Sequence, residues 1–445
     1  MKIIIVGGGT GGATLAFQIR KIDKECEIEI IERSNNLQYS PCALPYAISG
    51  EISTFEDIFI FDEEQYSQNK ITFRKNTKAI KIFPKKKQLL IESNDEKQLL
   101  SFDILVIATG ASPVIPPIDG ISKENCLLLK TIDDAKNIKN TTLKENQHSS
   151  LLKSTIIIGA GLIGVELSTA LKGLGQNVTL IDSKNILSSN FDTDMSLIVK
   201  DYLIKNEITI FENSKIQKVE DSKIFLDGKI ITFDNIIICA GVRPNLDLAI
   251  ASNIKTNKGI IVNPYMQTSK SFIYAIGDCV ESKEFYSNET VLSLIATSAV
   301  RQSKIVAGNI FGAKEKFPTV LNTTISRAKE IIFGAVGISS QRAISLGIKT
   351  VSAKYVGETK SEYIPTRKPI TIKIIADMNS TIIGAQIIGF EEIAGRLDLL
   401  ALAITKKMKL SDLENVEFCY NPMSAPIFEP ISIVAHLCQK KLNSL

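Results

Sequence analysis

The feature that most limits how this chain can fold is a module that it carries twice. Lys2–Val6 is an apolar strand that runs into Gly7-Gly8-Gly9-Thr10-Gly11-Gly12. A helical stretch follows to about Ile22, then a second strand, Glu27–Ile31, with Glu32 at its end. Thr155–Ile158 leads in the same way into Gly159-Ala160-Gly161-Leu162-Ile163-Gly164, a helix to about Leu174, strand Asn177–Ile181 and Asp182. The first glycines of the two copies, Gly7 and Gly159, lie 152 positions apart.

Each copy reads strand, G-x-G-x-x-G, helix, strand, acid, which is the context that turns a common glycine pattern into a dinucleotide-binding (Rossmann) unit. The first glycine makes the tight turn, the second lets the backbone approach a pyrophosphate, and the third packs helix on strand. The helix N-terminus supplies donors and partial positive charge to the phosphates. Two further apolar strands, Ile104–Ile107 and Ile236–Ile238, end in the small-residue turns Ala108-Thr109-Gly110 and Cys239-Ala240-Gly241. Pro113, Pro116 and Pro117 follow the first and Pro244 the second, as at crossings between domains. Phe272–Ile276 then delivers Gly277-Asp278 at a carboxyl end, where open α/β sheets bind ligands. Beyond about residue 320 four strand-like segments (Ile331–Ile338, Val351–Val356, Ile370–Ala376, Thr381–Ile388) and an amphipathic helix, Glu392–Met408, carry no nucleotide motif. The polar stretch Asn137–Ser150 reads as a surface loop.

Composition narrows the chemistry. Fifty-two basic against 48 acidic residues give +4 over 445 residues, which argues against nucleic acid as a partner. No apolar run reaches the roughly 18 residues of a transmembrane helix, and the apolar start is too short for a signal peptide; a cytoplasmic protein without membrane association is expected. Seven cysteines (26, 42, 126, 239, 279, 419, 438) form no C-x-x-C pair, so neither a zinc ribbon nor a dithiol motif is expected. With His148 and His436 as the only histidines, no metal site and no Ser-His-Asp triad is expected.

Cys42 stands apart, in Ser40-Pro41-Cys42-Ala43-Leu44-Pro45-Tyr46. Ser40 suits an N-cap and Pro41 the first helical position. Cys42 then falls in the first turn, where the helix dipole favours a thiolate, and Pro45 keeps that helix short or kinked. The other six cysteines read as buried thiols, Cys239 inside a strand. On the first helix Thr14, Gln18 and Lys21 form a polar stripe opposite Leu15, Ile19 and Ile22.

The paired units, the Ala-Thr-Gly turn and Tyr274-Ala275-Ile276-Gly277-Asp278 resemble the FAD-dependent pyridine nucleotide-disulfide oxidoreductases. The single Cys42 and the Gly11–Lys21 helix resemble their single-cysteine branch, coenzyme A-disulfide reductases and NADH oxidases, with polysulfide reductases and NADH peroxidases beside them. Thr10 stands where the peroxidases carry a histidine, which speaks against that activity. The resemblance implies an α/β fold of two Rossmann-like domains plus a C-terminal α+β dimerisation domain: FAD domain 1–115 and 245–320, NAD(P)H domain 116–244, dimerisation domain 321–445. It implies Gly7, Gly9, Gly12, Glu32, Arg33, Ala108, Gly110, Asp278 and Thr297 at FAD, and Gly159, Gly161, Gly164, Asp182 and Gly241 at the nicotinamide cofactor. Asp182 favours NADH by repelling a 2′-phosphate, with Lys184 two residues on able to admit NADPH. Thr14, Gln18 and Lys21 would contact coenzyme A as substrate or ligand. Cys42 would attack a small disulfide, and Tyr420 and Tyr363 would reach the active site of the partner in a homodimer. The implied activity is NAD(P)H-dependent reduction of coenzyme A disulfide; oxygen and polysulfide are the alternative acceptors within the family. A membrane-bound sulfide:quinone oxidoreductase, which needs more redox cysteines and an anchor, and a flavin-bearing interaction protein without thiol chemistry fit less well.

Overall fold

The computed structural model describes residues 1–143, 153–287 and 289–445. By packing, the chain divides into two units, one of residues 1–114, 130–132 and 242–320 and the other of 115–129, 133–241 and 321–445.

In the first unit the isoleucine-rich run Lys2–Val6 lies at the centre of a five-stranded parallel sheet ordered Ile273–Ala275, Ile104–Ile107, Lys2–Val6, Glu27–Ile31, Ile71–Arg74. Both faces of the central strands are covered, so they read as unbroken apolar runs rather than as alternation. Ile3, Ile4, Ile5, Leu105, Val106 and Ile107 are all fully buried. Helices Thr10–Ile22 and Ala296–Ile310 pack together, with Ser303 Oγ donating to the Gly11 carbonyl at 2.8 Å. A three-stranded antiparallel meander, Lys78–Phe83, Gln88–Ser93 and Glu96–Ser101, belongs to the same unit. The two proline-flanked exits, Ala111–Pro113 and Val242–Pro244, pair with each other antiparallel.

The second unit repeats the parallel plan, ordered Thr209–Phe211, Asn177–Ile181, Ser154–Ile158, Asn235–Ile238, Leu127–Leu128. It also holds an antiparallel sheet ordered Thr324–Ala328, Ile331–Gly337, Ile382–Gly389, Pro369–Asp377, Thr350–Glu358. Helix Ile393–Thr405 packs on strands Ile331–Gly337 and Ile382–Gly389, and Pro430–Asn443 on Thr350–Glu358 and Pro369–Asp377.

Three expectations are corrected. Residues 137–143 are not loop but the end of helix Ile132–Leu143, whose Ile132, Ala135 and Ile138 are fully buried; 144–150, with His148, fall outside the described residues. Ile22, expected on the apolar face, is largely exposed: it is the last residue of its helix, and the buried face ends one turn earlier at Leu15, Ala16 and Ile19. Cys239 lies one residue past strand Asn235–Ile238, in the turn that follows it.

Candidate functional site

The two glycine turns are superimposable in their steric logic. Gly7 has φ +110°, and a Cβ there would stand 2.2 Å from the Ala108 carbonyl oxygen; Gly159 has φ +109°, and its Cβ would stand 2.3 Å from the Cys239 carbonyl oxygen. A Cβ on Gly12 would meet the Gly7 oxygen at 1.9 Å, and one on Gly164 the Gly159 oxygen at 1.9 Å. The middle glycines differ: a Cβ on Gly9 or Gly161 meets no atom within 4 Å. Each is the N-cap of its helix, Thr10–Ile22 or Leu162–Gly173, and caps it with no side chain. The cap positions are therefore open and no side chain caps the first-turn N–H groups, the arrangement that receives a phosphate.

The acids are held alike. Glu32 accepts the Gly8 N–H at 2.7 Å and the Ser34 N–H at 2.8 Å. Asp182 accepts the Ala160 N–H at 2.7 Å and the Lys184 N–H at 2.8 Å. Two backbone donors fix each carboxylate against its glycine turn and leave lone pairs for a hydroxyl. Lys184 and Arg33 are exposed. Gly110 and Gly241 adopt φ +65° and +99° with open space where a side chain would project. Asp278 sits in the turn Gly277–Cys279 beyond strand Ile273–Ala275, half-buried and 3.3 Å from Lys130 Nζ. The Gly277 N–H donates to Gln302 Oε1 at 2.7 Å, and Thr297 lies exposed in the first turn of that same helix.

Cys42 lies in a single 3₁₀ turn, Pro41–Ala43, that runs into helix Leu44–Ser49. Ser40 occupies the N-cap position, but only its carbonyl serves the turn, accepting the Ala43 N–H at 3.1 Å. Gly50, at φ +84°, ends the helix. Leu44, Ala47 and Ile48 are buried and anchor the segment, while Cys42 is exposed. Burial pushes up the thiols of Cys26, Cys126 and Cys279, that of Cys438 to about 11 and that of Cys239 to about 12. Cys419, expected to be buried, is exposed as well, because it lies outside any helix or strand beside the exposed Tyr420. Of the polar stripe, Thr14 and Gln18 are half-buried and Lys21 is exposed.

In the second unit the phenol oxygens of Tyr363 and Tyr420 are 3.2 Å apart, and both rings are exposed. The hydrogen bond from Tyr420 holds the Tyr363 phenol below its usual range, and the same bond raises that of Tyr420. Met423, Ile427 and Phe428 extend this surface as exposed apolar side chains. Among the described residues no cluster of His, Cys, Asp or Glu could hold a metal ion, and no helix is long and apolar enough to cross a membrane.

Residues 1–302 match the family model for pyridine nucleotide-disulphide oxidoreductases, and residues 329–429 match that family's dimerisation domain. The chain belongs to this family. An NADH oxidase of Methanocaldococcus jannaschii is 36% identical, with all of both chains aligned. A coenzyme A disulfide reductase of Staphylococcus aureus is 29% identical over 95% of this chain and 96% of its own. The structure of a NAD-dependent persulfide reductase from A. fulgidus superposes with a TM-score of 0.95 at 28% identity, covering 100% of this chain and 84% of that one.

Family membership implies FAD and NAD(P)H, and the residues present fit them. Both glycine turns leave the space and the uncapped N–H groups that a pyrophosphate needs, and both carry a fixed carboxylate at ribose distance in sequence. The dimerisation domain of this oxidoreductase carries the tyrosine pair and the exposed apolar residues beside it. Three residues escaped the sequence reading. Lys130, partner of Asp278, is a lone lysine in an unremarkable Leu-Leu-Leu-Lys-Thr run; Gln302 and Ser303 look like the polar side of an amphipathic helix yet are fully buried at the first cradle.

Proposed function

We propose that this oxidoreductase uses NADH to reduce a small disulfide-type substrate, coenzyme A disulfide foremost, through Cys42. The observation that carries the reading is the exposed Cys42 on a proline-bounded turn, anchored by the buried helix Leu44–Ser49 that follows it, in the unit that holds the first dinucleotide cradle. FAD on Gly7, Gly9, Gly12, Glu32, Arg33, Ala108, Gly110, Asp278 and Thr297 would supply two-electron transfer between nicotinamide and sulfur. NADH would lie on Gly159, Gly161, Gly164 and Gly241, with Asp182 accepting from its ribose and disfavouring a 2′-phosphate.

The Cys42 thiolate attacks one sulfur of the substrate, forming a mixed disulfide and releasing the first thiolate. Thr14 and Gln18 hold the coenzyme A portion by hydrogen bonds, and Lys21 attracts its phosphates. In a homodimer joined through residues 321–445, Tyr420 of the second copy protonates the departing thiolate, and Tyr363, bonded to it, steadies the phenolate. The hydrogen bond that raises the Tyr420 phenol keeps it protonated, and so able to donate to the thiolate.

Reduction of oxygen is the second reading, favoured by the 36% identical NADH oxidase. Steady-state NADH turnover with coenzyme A disulfide, polysulfide and oxygen, measured side by side on the FAD-loaded dimer, decides between them. The expected result is the largest kcat/KM for the disulfide and its loss in Cys42→Ser. Turnover of the disulfide that is unchanged in Cys42→Ser overturns the reading.

A further inference from the structure

The net charge of the chain is not spread evenly. Residues 78–87, Lys78-Ala79-Ile80-Lys81-Ile82-Phe83-Pro84-Lys85-Lys86-Lys87, contain five lysines and no acid. Taking those five from the net charge of +4 leaves the rest of the chain at −1. Five positive charges are thus concentrated on one hairpin, strands Lys78–Phe83 and Gln88–Ser93 with the 3₁₀ turn Pro84–Lys86 at its tip, whose one acid, Glu92, stands opposite Lys78 and pairs with Lys97. None of the five makes an ion pair among the described residues. Cations held close together on a short hairpin raise the local potential and attract anions.

A second observation lies beside the hairpin in the same unit. Phe272 has φ +64°, a left-handed conformation that suits glycine or asparagine and is strained for an aromatic residue. Its ring is nonetheless 48% exposed, so core packing does not explain the choice. Lys87 Nζ stands 4.0 Å from the centroid of that ring. Phe272 in turn lines a cleft of about 420 Å³ with Ile104, Thr268, Lys270 and Ser271. Lys270 makes no ion pair among the described residues. The cleft opens at the amino ends of strands Ile104–Ile107 and Ile273–Ala275, the edge of the sheet away from the glycine turn and Asp278.

We infer that this cleft and the lysine hairpin form a binding site for a small polyanion of the phosphate class, separate from both dinucleotide cradles. Lys270 and Lys87 bind the phosphate groups from the two sides of the cleft, the hydroxyls of Thr268 and Ser271 donate to their oxygens, and Lys85 and Lys86 draw the anion in from solvent. Phe272 positions Lys87. The aromatic face holds the ammonium by a cation–π contact, and the left-handed backbone aims the ring at the hairpin, so the strain is kept for the site rather than for the fold.

The experiment uses FAD-loaded enzyme with NAD⁺ saturating, so that both dinucleotide cradles are filled. Inorganic tripolyphosphate and ADP are titrated by calorimetry at low salt. The expected result is saturable one-to-one binding of tripolyphosphate that weakens as salt is added. If ADP binds with similar affinity, nucleotide phosphates are a source; if only tripolyphosphate binds, inorganic chains are, and either supports the site. Lys87→Gln and Lys270→Gln each lose about tenfold or more in affinity, the scale of one charge-assisted contact. Phe272→Asn loses affinity to a similar degree while its melting temperature stays level or rises, because asparagine relieves the backbone strain. A purely structural role for Phe272 would instead lower the melting temperature. Tripolyphosphate that does not bind, or that binds all three variants as it binds the parent, overturns the inference.

Discussion

Glu166 offers a quantitative test of how the second unit is held together. It stands on helix Leu162–Gly173, just after the second glycine turn, and its Oε1 accepts from Ser326 Oγ of strand Thr324–Ala328 at 2.7 Å. Burial pushes its carboxyl from the ordinary 4.5 up to about 7, against the opposing effect of the Ser326 hydrogen bond. Between those two values the folded chain keeps a proton that the unfolded chain has released. Stability therefore falls as pH rises from about 4.5 to about 7 and is constant beyond. A displacement of that size corresponds to about 3 kcal/mol, at about 1.4 kcal/mol per pH unit. Glu166→Gln cannot ionise, and its amide oxygen can still accept from Ser326. The variant should lose this part of the pH dependence: similar to the parent at pH 5 and more stable by about 3 kcal/mol at pH 8. At roughly 2.1 cal/mol/K per residue, that is a melting-temperature gain of about 3 °C if the whole chain unfolds together. Thermal melts of FAD-loaded parent and variant at half-unit steps from pH 5 to 8 measure it. Parallel pH profiles for the two proteins would refute the buried, protonated carboxyl.

Four further outcomes follow from the site. Gly12→Ala drives a Cβ into the Gly7 carbonyl and should yield protein that no longer retains FAD, read by its visible absorbance, whereas Gly164→Ala, with the same clash in the second unit, should keep FAD and raise the KM for NADH about tenfold or more. Asp182→Ser should shift the NADPH to NADH ratio of kcat/KM upward by about tenfold, and an unchanged ratio would assign cofactor choice elsewhere. Cys42→Ser should still bleach its flavin with NADH in a stopped-flow trace while failing to release thiol from coenzyme A disulfide. Mixing Cys42→Ser chains with Tyr420→Phe chains should raise activity above either parent after verified subunit exchange; a mixture that stays at their mean would refute the composite site.

What the sequence revealed and what it hid have the same physical origin. Gly7, Gly12, Gly159 and Gly164 are legible because a Cβ at each would collide with a backbone carbonyl, so no other residue type can stand there. The central parallel strands are legible because burial on both faces demands unbroken runs such as Ile3-Ile4-Ile5. The edge strand Thr324–Ala328 mixes Ser326 and Arg327 with apolar residues and carries no such run. Helix Ile132–Leu143 hides its buried Ile132, Ala135 and Ile138 among lysines and asparagines. Lys130 finds Asp278 across 148 positions of chain, a pairing that only the fold creates. Cys42 could be singled out by its prolines, but the exposure that separates it from Cys26, Cys126, Cys239, Cys279 and Cys438 is a property of the folded unit.

That separation of thiols has a consequence for how the protein ages. Oxidation proceeds through the thiolate and needs access by the oxidant. Five of the seven cysteines have thiols raised by burial, and three of these, Cys26, Cys279 and Cys438, are also closed to solvent. Peroxide or a disulfide in the surrounding medium therefore spends itself on Cys42 and Cys419, at the surface, and the hydrophobic cores are spared. Under the role proposed for Cys42, such damage stops turnover without loosening the fold, and as long as oxidation has gone no further than a sulfenic acid or a disulfide, a reductant restores activity to a protein that never had to refold.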